Sequence, residues 1–169
     1  MMHSKSIFLL LILSTTLFGV SCTKDPCEAV VCQNNGICID GDCNCPLGFE
    51  GDLCETFTRE KILGNFDVAS NCMVGSADTD EWGIGASASA FNEVLINNFH
   101  KPALNIIATI VDPTTLEIKE QVVGGSPTSY TISGSGTIKS DGQLTFQYTV
   151  FSDLPVDTAR CSVSAIRQE

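Results

Sequence analysis

Six cysteines fall between Cys27 and Cys54, separated by four, five, four, one and eight residues, and the stretch runs out through Cys45-Pro46-Leu47-Gly48-Phe49-Glu50-Gly51. A segment this short cannot bury enough apolar surface to offset its chain entropy, so covalent bridges must hold it. Such bridges persist only outside the reducing cytosol. Six cysteines allow fifteen pairings, and spacing alone does not choose among them. The single residue between Cys43 and Cys45 is read as sending their side chains to opposite faces of a strand. Asp40-Gly41, between Ile39 and Asp42, signals a tight hairpin, Gly36, Gly48 and Gly51 mark turns or close approaches, and Phe49 is the large ring available to cover the bridges.

The chain begins with Lys5 and an apolar run from Ile7 to Leu13 that weakens towards Val20. It reads as a secretory signal over residues 1–21, because a membrane-spanning helix needs about 20 apolar residues and Ser14, Thr15 and Thr16 interrupt this one. The formal charge is −11, and −12 once Lys5 is removed with that signal. The eight remaining cationic residues are scattered, so nucleic acid is excluded as a partner: its affinity rests on clustered Lys and Arg.

Cys22 follows Leu17, Gly19, Val20 and Ser21 and precedes Thr23, Lys24 and Asp25. This resembles a bacterial lipobox, although Gly19 stands where that family usually has leucine. The resemblance implies cleavage before Cys22, acylation of its thiol and amine, and firm membrane attachment, since two lipid signals already suffice for stable anchoring. Cysteine parity points the same way. The nine cysteines divide into six in the cluster, Cys72 with Cys161 in the remainder, and Cys22 alone. The stretch Ser21 to Pro26 is similar to the mature start of many Bacteroidetes lipoproteins, which implies an outer-membrane address and, through Lys24-Asp25, exposure at the cell surface.

The cluster Cys27, Cys32, Cys38, Cys43, Cys45 and Cys54, with Gly36 after Asn35 and the ending Gly48-Phe49-Glu50-Gly51 to Cys54-Glu55, resembles an epidermal growth factor (EGF)-like domain over residues 27–55. The family implies Cys27–Cys38, Cys32–Cys43 and Cys45–Cys54. Its calcium-binding subclass carries an acidic run before the first cysteine and an Asn or Asp followed by an aromatic between the third and fourth. Here Asp25, Asp40 and Asp42 do not make up the six to eight oxygens that calcium requires, so no metal and no cofactor is expected.

Residues 22–26 are read as a lipidated tether and 56–61 as a polar linker or helical turn. From residue 62 to 169 cysteine density falls and period-two alternation recurs. Candidate strands are Gly64 to Met73, Gly85 to Phe91, Glu93 to Phe99, Leu104 to Val111, Leu116 to Val123, Tyr130 to Lys139, Gln143 to Phe151 and Ala159 to Ile166. Short turns such as Asp141-Gly142 separate them. The expected fold class is all-β: a small disulfide-rich module followed by an antiparallel up-and-down barrel or sandwich of about eight strands. A Cys72–Cys161 bridge would join the first predicted strand to the last. The rhythm Leu63-Gly64-x-Phe66-x-Val68 and the run Gly134-Ser135-Gly136-Thr137-Ile138 resemble lipocalin-like domains, which implies topology and transfers no binding residue.

Catalytic constellations are missing from this pattern. His100 sits beside Lys101 and Pro102 in a predicted turn, read as a solvated surface group, and no nucleophile elbow, HExxH or phosphate loop occurs. The Asp78, Asp80, Glu81 group lacks the spacing of a calcium loop and is read as solvated. Trp82, the single tryptophan, is read as core in preference to a ligand anchor. The expectation is a non-enzymatic, lipid-anchored surface protein whose EGF-like spacer presents a β-domain to a protein or glycan. The alternative is a lipocalin-like carrier of a small apolar ligand.

Overall fold

A computed structural model describes residues 24–73, 79–100 and 104–169. Cys22 and the signal segment lie outside the described residues. The module is built on a hairpin of β1 (Ile37–Ile39) and β2 (Asp42–Asn44), whose turn residues Asp40 and Gly41 both have positive φ, 53° and 98°. Two successive left-handed residues match the right-handed twist of the flanking strands, which is why Asp-Gly suits this turn. Three disulfides, Cys27–Cys38, Cys32–Cys43 and Cys45–Cys54, hold the module around it. The expected divergence of Cys43 and Cys45 has a different origin from the one read in the sequence. Positions i and i+2 share a face of a strand, and β2 ends at Asn44, so Cys45 lies beyond the strand and its direction is set by the loop.

The second unit is a closed eight-stranded antiparallel barrel of β5 (Gly64–Cys72), β6 (Thr79–Ala86), β7 (Glu93–Phe99), β8 (Leu104–Asp112), β9 (Thr115–Gly125), β10 (Thr128–Ile138), β11 (Leu144–Asp153) and β12 (Val156–Arg167). Each strand pairs with its sequence neighbours, and β12 returns to β5 over seven residue pairs from Arg167↔Phe66 to Cys161↔Cys72, where the Cys72–Cys161 disulfide ties the seam. Closure removes the exposed first and last edges that an open sheet would present.

Alternation drives the fold. In β11, Leu144, Phe146, Tyr148 and Val150 are buried while Thr145, Gln147, Thr149 and Phe151 face outward. The interior rings meet across the lumen: Trp82 of β6 lies 4.8 Å from Phe99 of β7 and 5.6 Å from Phe146 of β11, and Phe99 lies 4.6 Å from Tyr148. Trp82 is thus core, and the barrel is filled with aromatic rings at this level. Inward positions 134 and 136 of β10 carry glycine because Tyr148 and Phe146 lie over them in register. A Cβ on Gly134 would come within 2.6 Å of Tyr148 Cβ. Such glycine kinks covered by cross-strand rings let a sheet bend tightly enough to close.

Pairing between β8 and β9 is confined to three residue pairs, from Asp112↔Thr115 to Thr109↔Glu117. Beyond them the Gln121 side chain accepts from Ile107 N at 2.9 Å and donates to Ile107 O at 2.8 Å, so one amide group stands in for a missing backbone partner.

One expectation is corrected. The second barrel strand is Thr79–Ala86, not Gly85 to Phe91. The alternating Ala and Ser of residues 86–90 offers no bulk to bury, and Trp82 and Ile84 supply the inward face instead. Residues 56–61, read as a polar linker or helical turn, form a structured joint that holds such a turn: β4 (Thr56–Phe57) pairs with β3 (Phe49–Glu50), and a 3-10 turn over Thr58–Ile62 follows. The polar lettering of that stretch does not show that Thr58 is buried; Ile62, the first residue of the expected β-domain, has 0% exposure and belongs to the barrel core.

Candidate functional site

The barrel has two unlike ends. At the proximal end the strands β5, β7, β9 and β11 begin and β12 finishes, and the disulfide-rich module sits there. Phe49 of the module, Phe57 of the joint and Phe91 of the β6–β7 loop form a ring cluster with centroids 5.0, 5.6 and 5.8 Å apart. Phe49, expected to shield the disulfides, instead packs on the barrel side. Arg59 donates to the carbonyls of Ser87 and Ala90 at 3.1 and 3.2 Å, and Lys61 pairs with Glu50 at 2.7 Å. Gly48, at φ +93°, lets the module backbone approach Asn92, whose Cβ would lie 3.1 Å from a side-chain carbon placed there. Arg167 donates to Lys61 O and fixes the last strand to the joint.

At the distal end lie the Cys72–Cys161 bridge, His100 and the hairpins β9–β10 and β11–β12. The sequence reads His100 as a solvated turn residue. It has φ 57°, is half-buried, and packs edge-on against Tyr148 at 5.9 Å, with Nδ1 3.2 Å from the Tyr148 hydroxyl. The missed signal is tertiary: nothing in the local sequence pairs residue 100 with residue 148. Among the described residues, Cys72, His100 and Cys161 bring ligand-type atoms within 4.8 Å of one another, but both sulfurs are held in the disulfide. The two hairpins are stapled to each other. Ser129 N and Oγ donate to the two carboxylate oxygens of Asp153, each at 2.7 Å, and Thr128 Oγ1 donates to Leu154 O. The two Ser129 bonds, that of the hydroxyl first, hold the Asp153 carboxyl below its ordinary pKa of 3.8. Leu154 and Val156 are exposed beside this staple.

Between the two ends, the outer face over β10, β11, β12 and β5 carries registered ladders of small polar side chains. Ser135 opposes Gln147, Gln147 opposes Ser162, and Ser162 opposes Asn71. One step along, Thr137, Thr145, Ser164 and Ala69 make a second ladder, in which the Thr137 and Thr145 hydroxyls are 2.6 Å apart. These rows floor an open concavity of about 650 Å³ that continues towards Thr149 and Arg160. Arg160 stands at one margin, and the exposed Glu117 of β9 continues the first ladder opposite Ser135.

The carboxylates singled out in the sequence are dispersed. Asp25 Oδ1 accepts from Cys27 N at 2.9 Å, Asp40 is in the module hairpin turn and Asp42 in β2, and Glu81 lies exposed on β6. Asp78 lies outside the described residues, and so does the lipidation candidate Cys22.

No family model matches the chain. Among curated proteins it is similar to Stabilin-2 of Rattus norvegicus, 41% identical over 64 residues that make up 34% of this chain and 4% of that protein. It is also similar to the neurogenic locus notch homolog protein of Giardia intestinalis, 32% identical over 69 residues, 37% of this chain and 12% of that protein. The chain therefore spans a small fraction of either relative. With the three disulfides, these similarities identify the cysteine-rich segment. It is an EGF-like module. Solved structures similar to the chain include EF1p2_mFAP2b bound to DFHBI, with TM-score 0.48 and 15% identity, covering 66% of this chain and 97% of that one. A redesigned beta barrel has TM-score 0.43 and 14% identity, covering 66% and 96%.

Proposed function

We propose that this chain is a non-catalytic surface protein, anchored to a bacterial outer membrane through lipid on Cys22, in which the EGF-like module is a fixed pedestal and the barrel is the part that meets a protein or glycan partner. The observation that carries this reading is the seating of the module on the proximal end of the barrel. The chain enters from its N-terminus through the module, and the stapled hairpins and the outer face of β10–β12 and β5 are left uncovered by it. A pedestal held by a ring cluster, an ion pair and close backbone approach transmits orientation, which a polar linker would not. The lipocalin-like alternative asks the lumen to accept an apolar ligand where Trp82, Phe99, Phe146 and Tyr148 already meet.

The test is the intact mass of the chain extracted from its own membrane, with protease treatment of whole cells. The expected result is an N-terminal Cys22 carrying acyl mass, release of the Cys22→Ala variant from the membrane, and loss of the barrel to external protease. A mature chain without acyl mass would overturn the anchored reading, and a barrel protected on intact cells would overturn its exposure at the surface.

A further inference from the structure

At the distal end Tyr148 opposes Cys161 across β11 and β12, and Cys161 opposes Cys72 across β12 and β5, so the three stand in one row. His100 reaches the same row from the turn after β7, and one of its ring nitrogens lies within 4.8 Å of both sulfurs. Its place is set by its neighbours. Phe99 packs on the Tyr148 ring at 4.6 Å, and His100 Nδ1 stands 3.2 Å from the Tyr148 hydroxyl. Among the described residues no other three His, Cys or carboxylate ligand atoms converge in this way. Two thiolates and an imidazole are a ligand set of tetrahedral zinc with one position left for water.

We infer that Cys72, Cys161 and His100 are a redox-gated zinc site, closed by the disulfide in the oxidised chain and available to the metal once the disulfide is reduced. The reductant is an external dithiol. Its two thiols pass two electrons to the bridge, leaving Cys72 and Cys161 as thiols and the dithiol as its own disulfide. Zinc then displaces one proton from each thiol and takes both thiolates and the imidazole nitrogen, with water as the fourth ligand. Zinc–sulfur bonds of about 2.3 Å and zinc–nitrogen bonds of about 2.0 Å put tetrahedral ligand atoms about 3.6–3.8 Å apart, so His100 need move by only about 1 Å. The sulfurs part by side-chain rotation while the backbone keeps the two residues opposed. Six further residue pairs, Ser162↔Asn71 to Arg167↔Phe66, hold one side of the bridge, and on the other Met73 N donates to Arg160 O at 2.9 Å. Cys161 is buried whereas Cys72 and His100 are half-buried, so reductant and metal enter past Cys72. Thiolate and imidazole select zinc over calcium and magnesium, which take oxygen ligands. The seam between the first and last barrel strands is thus closed by a covalent bond in one redox state and by a metal in the other.

The test is metal titration of the full-length mature chain, oxidised and after reduction under nitrogen. A phosphine replaces the dithiol, which would itself compete for metal, and alkylation mapping identifies the bridges that open. Zinc is the metal and cobalt(II) its spectroscopic probe. Cys72→Ser/Cys161→Ser and His100→Ala are treated in parallel; any module thiols that open contribute equally to all three chains, so the differences read the barrel site. The expected result is one more equivalent of zinc in the reduced chain than in the double-serine variant, with the visible bands of tetrahedral cobalt bound to thiolate. Zinc should raise the Tm of the reduced chain, and the oxidised chain should take up no such equivalent. His100→Ala should weaken binding more than about tenfold, and Tyr148→Phe, which keeps the ring and removes the hydroxyl set against His100, by about tenfold, with a changed cobalt spectrum in both. Equal uptake by the reduced chain and the double-serine variant, equal uptake in both redox states, or unchanged affinity in His100→Ala would each overturn the site. So would a bridge that resists the phosphine until the barrel unfolds, or loss of the buried Trp82 emission on reduction that zinc does not restore.

Discussion

Replacing Ile62 with alanine removes a side chain that the sequence places at the edge of a linker and the structure places inside the barrel. Ile62 is the last residue of the 3-10 turn, is 0% exposed, and packs in the same buried cluster as Phe66, Leu144 and Ala165. The substitution deletes three carbons, worth about 0.8 kcal/mol each in lost transfer free energy, or about 2.4 kcal/mol. A rigid barrel end relaxes poorly into the void. A residual cavity of up to about 70 Å³ at about 24 cal/mol per Å³ adds up to about 1.7 kcal/mol, giving about 2.5–4 kcal/mol in all. For a chain of this size that corresponds to a drop in Tm of about 8–15 °C. Urea unfolding followed through the emission of Trp82, the single tryptophan and itself buried, reads the loss directly. The exposed neighbour Glu60→Ala is the control, with an expected change within about 0.5 kcal/mol. If Ile62→Ala costs less than about 1 kcal/mol and tracks the control, the joint does not plug the barrel and the pedestal argument loses its footing.

Gly134→Ala places a Cβ 2.4 Å from Gln147 O and 2.6 Å from Tyr148 Cβ; the strand must shift, and we expect a loss of about 1–3 kcal/mol in the same unfolding assay, against little change for Gly85→Ala, which meets nothing within 4 Å. The Cys72→Ala/Cys161→Ala pair opens a loop of sequence separation 89, and the expected destabilisation is about 4–5 kcal/mol on the chain-entropy account; a change below about 1 kcal/mol would mean that strand pairing alone closes the barrel. The Asp153 staple sets a pH dependence. Its pKa is depressed in the folded chain by Ser129, so the stabilisation is present above 3.8, the value expected when unfolded, and is lost as pH falls through the lower folded value. The Ser129 amide shift should therefore titrate with a midpoint below 3.8, and a midpoint at or above it would contradict the staple.

The parts of this molecule legible in sequence are those that local rules control. The Asp40-Gly41 turn requires two left-handed residues and advertises them, and β11 alternates so regularly that its inner and outer faces can be read from the letters. The barrel strands from β7 onward are legible within a few residues for the same reason. The second strand was misplaced because Asp80 and Glu81 look like loop, although Glu81 merely faces water from a strand whose Trp82 and Ile84 face in. The packing of the joint is not legible because three large rings, Phe49, Phe57 and Phe91, come from three separate segments, and their convergence is a tertiary fact. His100 and Tyr148 meet across 48 residues for the same kind of reason. The outer ladders lie between these extremes. Alternation identifies Ser135, Gln147 and Ser162 as outward residues, but their alignment in one row depends on strand register, which the sequence does not display.

The claim on which the account turns is that module and barrel are one body, with the module fixed to the proximal end. Residual dipolar couplings measured on amides of both units in one weakly aligned sample test this directly. Fitted separately, the module and the barrel should return alignment tensors of the same magnitude and orientation, and the joint residues Thr56–Ile62 should fit with either. Tensors that differ in magnitude or orientation, with averaged couplings across the joint, would show the module moving independently of the barrel and would contradict the account.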